Sequence, residues 1–125
     1  MDILSYICKM ENYKKIKTYE DALRVLGRED FSRENLYPRE IARRKLEIII
    51  EALNEGWKPN FNDIKQSKWY CFSIGVNMGL GFSSSTISHT SANTNINVHL
   101  CLKSKEIADY VGEQFTDLYG EMLLG

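Results

Sequence analysis

Between Trp69 and Leu102 the chain carries no Asp, Glu, Lys or Arg, although charged residues make up 26% of the whole. The same stretch changes its period. From Lys68 onward Tyr70, Phe72, Ile74 and Val76 alternate with Trp69, Cys71, Ser73 and Gly75. A period of two marks a strand, because successive side chains point to opposite faces. A second strand is expected within Leu80 to His89, reached through the turn Asn77-Met78-Gly79. A third is expected where Ile96, Val98, Leu100 and Leu102 alternate with Asn95, Asn97, His99 and Cys101. Connections this short favour an antiparallel meander.

On either side the period is helical. Thr18 is a good N-cap, Asp21 three residues on makes a variant of the capping box, and Gly27 can end that short helix in the left-handed conformation. A long helix follows. Pro38 suits its first turn and Gly56 its end, while Ile41, Ala42, Leu46, Ile49, Ile50 and Leu53 recur at three- and four-residue spacing. Its other side carries paired charges, Glu40 with Arg44 and Arg43 with Glu47. Trp57 and Pro59 are expected to fold back on its last turn. Ser104 can cap a final helix with Glu106 in its first turn and an apolar stripe of Ile107, Ala108, Val111, Phe115, Leu118 and Met122.

Two apolar stripes need a surface to cover. The expected fold class is therefore α+β: a small antiparallel sheet of about three strands with the two main amphipathic helices packed on one face. Residues 1–17, which end in Lys14, Lys15 and Lys17, are read as an arm with no assigned structure, and 18–125 as a single domain. At 125 residues the chain has the size of one domain.

Composition removes several classes of function. The formal net charge is −1, from 16 basic and 17 acidic residues, so no field over the whole chain attracts nucleic acid or an anionic membrane. No run approaches the roughly 18 apolar residues that cross a bilayer, and the start lacks the order of a signal peptide. A cytoplasmic protein without membrane contact is expected. Cys8, Cys71 and Cys101 are odd in number with no C-x-x-C pair, which argues for reduced thiols.

If the bulky strand faces meet the helices, Trp69, Cys71, Ser73, Asn97, His99 and Cys101 share the opposite face. Two thiols and an imidazole there suggest a zinc site or a Cys/His nucleophile pair, but no fourth ligand is evident and plain packing is the better reading. No catalytic residue, metal or cofactor is expected. Gly79-Leu80-Gly81-Phe82-Ser83-Ser84 begins like a dinucleotide fingerprint, yet Ser84 stands where the third glycine belongs and no helix should follow, so a glycine-containing hairpin is favoured. Nucleic acid has a local candidate in Arg39, Arg43, Arg44 and Lys45, with Lys58, Lys65, Lys68, Trp57 and Trp69 nearby, although Glu40, Glu47 and Glu51 share the helix. The uncharged sheet offers another use. Edge strands normally carry charges that repel unwanted pairing, and here Trp69, Cys71, Ser73, Asn97 and His99 offer a face for a second copy of the chain or another protein. The competing cover for that face is the chain's own first 17 residues.

Four segments, TYEDALRVLG, EALNEGWKPNFND, KWYCFSI and LCLKSKEIADYVGEQFTDLY, occur in that order and touch most of residues 18–120. Together they resemble a family of short bacterial proteins found in phage-like and other mobile-element contexts. Its most specific patterns, here Ala52 to Pro59 and Leu100 to Tyr119, look structural. The family carries no established activity, so the resemblance implies a phage-type accessory protein and assigns no site residue. Association through the uncharged sheet, as a homo-oligomer or with another protein, is the leading expectation. Nucleic-acid binding by the Arg39-to-Lys45 helix stands as the alternative.

Overall fold

The structure is a computed structural model and describes residues 12–63, 65–76, 79–87 and 98–124. Its first helix, α1 (Tyr19–Leu26), starts where local chemistry says it should. The Thr18 hydroxyl accepts from the Asp21 N–H (3.1 Å), and the Asp21 carboxylate accepts in return from the N–H groups of Thr18 (3.2 Å) and Lys17 (3.0 Å). Those donors have no partner inside the helix, so the reciprocal bonds fix its first turn. Gly27 closes it at φ +64°, and Arg28 N–H returns to the Leu23 carbonyl (3.0 Å). A side chain at that φ costs about 1 kcal/mol, which glycine avoids.

Helix α2 (Pro38–Asn54) opens on Pro38, whose missing N–H is no loss in a first turn. It buries Ala42, Leu46, Ile49, Ile50, Ala52 and Leu53, the spine of the core. Removing Leu46, which is wholly buried, would cost about 2–5 kcal/mol. The helix ends through two left-handed residues, Glu55 at φ 48° and Gly56 at φ 87°. The first of these positions had not been expected.

The hairpin pairs β1 (Lys68–Val76) with β2 (Gly79–Ile87) antiparallel, in register from Lys68 opposite Ile87 to Val76 opposite Gly79. The chain then returns as α3 (Lys105–Gln114), capped by the Ser104 hydroxyl on the Ile107 N–H (3.2 Å), and α4 (Thr116–Leu124). Sequence spacing gave one helix here. It breaks at Phe115 (φ −116°, ψ 33°), where the Thr116 hydroxyl donates to the carbonyls of Gly112 (2.7 Å) and Glu113 (3.0 Å). Such back-bonding competes with the backbone ladder and bends helices. The bend lets α3 lie on the hairpin while α4 packs against α2, which α1 also contacts.

The α+β expectation is therefore corrected. The described protein is mostly helical, and in place of a sheet of about three strands it has one two-stranded hairpin. Asn95 to Asn97 lie outside the described residues, and Val98–Leu100 form a short 3-10 turn rather than a strand. Among the described residues, the return segment pairs with the hairpin through the reciprocal Trp69 and Leu102 backbone bonds (2.9 and 2.6 Å). The alternation of apolar residues imitates a strand, but of the described ones, Val98, Leu100 and Leu102, only Leu102 finds a ladder partner.

The side chain of Asn54, 5% exposed, closes the structure. Its amide donates to the Cys101 carbonyl (2.9 Å) and its oxygen accepts from the Lys103 N–H (3.1 Å), joining the end of α2 to the strand-like return. Of the arm, residues 12–17 dock on α3. Ile16 is buried, Tyr13 meets the Tyr110 ring edge-on at 5.3 Å, the Tyr110 hydroxyl donates to the Ile16 carbonyl (2.7 Å), and Gln114 donates to that of Lys17 (3.0 Å).

Candidate functional site

The expected site face separates when placed in space. Trp69 and Cys71 pack against the helical core, so the face of β1 that carries them is the helix-facing one, contrary to the sequence reading. The Cys71 thiol donates to the Ala108 carbonyl on α3 (2.8 Å), beside the buried Tyr119 hydroxyl. Burial, the larger influence, pushes this thiol up to about 11. Cys101 is 1% exposed and burial pushes it up to about 11 as well. Thiols held neutral in this way are poor nucleophiles and poor ligands. His99 is exposed and lines a hollow beside α2 with Glu51 and Trp57. Among the described residues no group of three or more His, Cys, Asp and Glu is placed to hold a metal ion. Ser73 sits on β1 opposite Phe82, while Asn97, His89 and Cys8 lie outside the described residues.

Gly79 to Ser84 form the first part of β2, with Gly81 opposite Ile74. A strand there removes the strand–turn–helix that a dinucleotide fingerprint requires. The hairpin's charge is equally plain. Lys68 is its one ionic residue, and Lys68 is wholly buried. Its ammonium donates to the carbonyls of Asp63 (2.9 Å) and Gln66 (2.7 Å) and lies 5.4 Å from the Phe61 ring centre. Lys68 thus belongs to the framework and not to a basic surface. Beyond it the two paired strands are neutral along their length, and among the described residues β2 pairs only with β1.

The four cations of the α2 candidate spread over several local partners. Arg39 lies over Tyr37 (5.1 Å), Arg44 over Phe31 (5.8 Å) and Lys45 over Tyr19 (5.3 Å), while Arg43 pairs with Glu47 (2.8 Å). Two of them, Arg43 and Arg44, join residues from other elements in a groove along α2. Adjoining hollows of about 460 and 320 Å³ meet at Glu47 and Ile48. One is completed by Phe31, the other by Arg28, Trp57, Lys58 and His99. Arg28 reaches Glu51 with two bonds (2.5 and 2.6 Å). That hydrogen bond first, with Lys58 and His99 adding their field, holds the Glu51 carboxyl below its usual range.

The far wall of this groove is fixed from within its own loop. The Gln66 side chain donates to the Lys58 carbonyl (3.1 Å) and accepts from the Asn60 N–H (2.5 Å), and the Lys68 ammonium ties down the loop's other end. Trp57 and Lys58 are thereby held at the end of α2. Arg28 and Phe31 escaped the sequence reading, and His99 was read as part of a sheet face, because no local pattern links a cap-following arginine, an interhelix phenylalanine and a return-segment histidine to one helix.

Among the described residues no helix is long and apolar enough to cross a membrane. No family model, no curated protein and no solved structure matches this chain.

Proposed function

We propose that this protein acts by binding, as an accessory protein of a phage-like element that associates with a second copy of itself, or else another protein, through the hairpin β1–β2. One observation carries the reading: a nine-pair antiparallel ladder whose single ion, Lys68, is buried. Solvent-facing edge strands are usually protected by charge, since an unprotected row of N–H and C=O groups pairs with any strand it meets. Burying hydroxyls and backbone against a partner costs far less than burying ions. The phage-like setting rests on the four resembling segments alone.

Sedimentation across a concentration series tests the association. Self-association is expected, and lysines at Ser83 and Ser85 (S83K with S85K), the positions opposite Phe72 and Tyr70, are expected to abolish it while the helical circular dichroism stays unchanged. A chain that stays monomeric throughout and retains no partner from lysate would overturn the reading.

A further inference from the structure

The groove along α2 has a chemistry separate from the hairpin's. Each of its ends sets a ring beside a cation. At one end the Arg44 guanidinium lies 5.8 Å from the Phe31 ring centre; at the other Trp57 is followed directly by Lys58. Between them Arg28 and Arg43 are engaged by Glu51 and Glu47. Four lining cations thus face two carboxylates, in a chain whose formal net charge is −1. The positive surplus is local and sits on Arg44 and Lys58. From Arg44 to Asn54 the helix rises about 15 Å, the length of a few linked units rather than of one small molecule.

We propose that this groove binds a short stretch of single-stranded nucleic acid, with phosphates at Arg44 and Lys58 and bases against Phe31 and Trp57. A single strand alternates an anion with a flat apolar ring, and the groove presents the complement of both. An acidic peptide would use the cations and leave the rings idle. A duplex keeps its base faces stacked inside. Because Glu47 and Glu51 compete for the two central arginines, binding is weak and strongly dependent on salt.

The test uses the full chain and a labelled oligothymidylate of about twelve nucleotides, followed by fluorescence anisotropy and by quenching of tryptophan emission. Two phosphate contacts predict about a sevenfold loss of affinity between about 50 mM and about 200 mM salt. Arg44→Glu with Lys58→Glu is expected to weaken binding at least about tenfold, whereas Lys65→Glu, an exposed lysine outside the groove, leaves it within about twofold. Trp57→Ala should cost about tenfold and remove the quenching, with Trp57→Phe retaining most of the affinity as a check that folding is intact. No binding at low salt, an unchanged affinity in the double variant, or equal binding of a polyglutamate peptide each overturns the proposal.

Discussion

Replacing Asn54 tests how far one buried amide holds the two halves of the chain together. In Asn54→Ala the Cys101 carbonyl and the Lys103 N–H both lose their partner. Cys101 is 1% exposed, so its carbonyl stays dry and an unmet acceptor there costs about 1–3 kcal/mol. Lys103 is half-exposed, so water replaces the second bond at a cost nearer 0.5–1 kcal/mol, and the sum is about 1.5–4 kcal/mol. Against a domain stability of about 5–15 kcal/mol this is large, and it corresponds to a fall in Tm of roughly 6–16 °C for a chain of this size. Urea titration followed at 222 nm measures it, with an unchanged slope confirming that the same surface unfolds. Asn54→Asp sharpens the test. It keeps the acceptor for Lys103 but turns a carboxylate oxygen toward the Cys101 carbonyl, so the protonated, donating form is favoured in the folded state and its folded pKa is raised. A group shifted in that direction keeps its stability below the unfolded value near 4 and loses it as pH rises through the folded value. The variant should therefore stand closest to wild type under acid conditions and furthest from it at neutral pH. If Asn54→Ala shifts stability by less than about 1 kcal/mol, the amide is not the joint described.

Three further outcomes follow from the same geometry. Glu55→Gly relieves a left-handed residue and sacrifices only a 3.8 Å surface pair with Lys103, so stability should rise by about 0.5–1 kcal/mol; a loss would refute the strain argument. In a Cys8→Ser background, Cys71 and Cys101 should react with a disulfide reagent at least about a hundredfold more slowly in the native protein than in urea, whereas prompt labelling would show that the thiols are accessible. Asp21, Asp30 and Glu51 are all held below their usual range, by the Lys17 N–H, the Tyr19 hydroxyl and Arg28 respectively. Carboxyls shifted in that direction stabilise the fold above their unfolded values and lose this as pH falls through the folded ones, so Tm should hold from neutrality to about pH 5 and drop below about pH 4. A Tm that rises on acidification contradicts the assignment.

What could be read from the sequence was the chemistry that is local. Thr18, Asp21, Gly27, Pro38 and Ser104 act within a turn of where they stand, so their roles follow from residue type alone. The strand beginning at Lys68 was legible for the same reason. Its orientation was not: period two defines two faces without saying which is buried, and bulk favoured Tyr70 and Phe72 where the fold turned Trp69 and Cys71 inward. The stripe Val111, Phe115, Leu118 and Met122 runs through the break at Phe115, because a kink leaves apolar spacing almost intact. Lys68 was assigned to the surface by its charge, and only the carbonyls of Asp63 and Gln66 show why it is inside. The groove is the least legible feature, since it gathers residues from α2, from both loops flanking that helix and from the return segment, a proximity that tertiary structure alone creates.

The Asn54 to Cys101 bond spans 47 positions of sequence, and the Trp69 to Leu102 bridge spans most of the same interval. The strands and their connections are therefore an excursion from a circuit that is already shut, and the entropy of closing that circuit is charged to the frame of helices. Lengthening such an excursion is cheap, since each doubling of a loop costs only about 0.6 kcal/mol. Length can be added to the connections beyond the bridge while Asn54, Trp69 and Leu102 keep the ends pinned, whereas the strands themselves are held by Cys71 and by their packing on α3. The molecule is in effect a fixed mount whose head is latched at its base and open to growth in its connections.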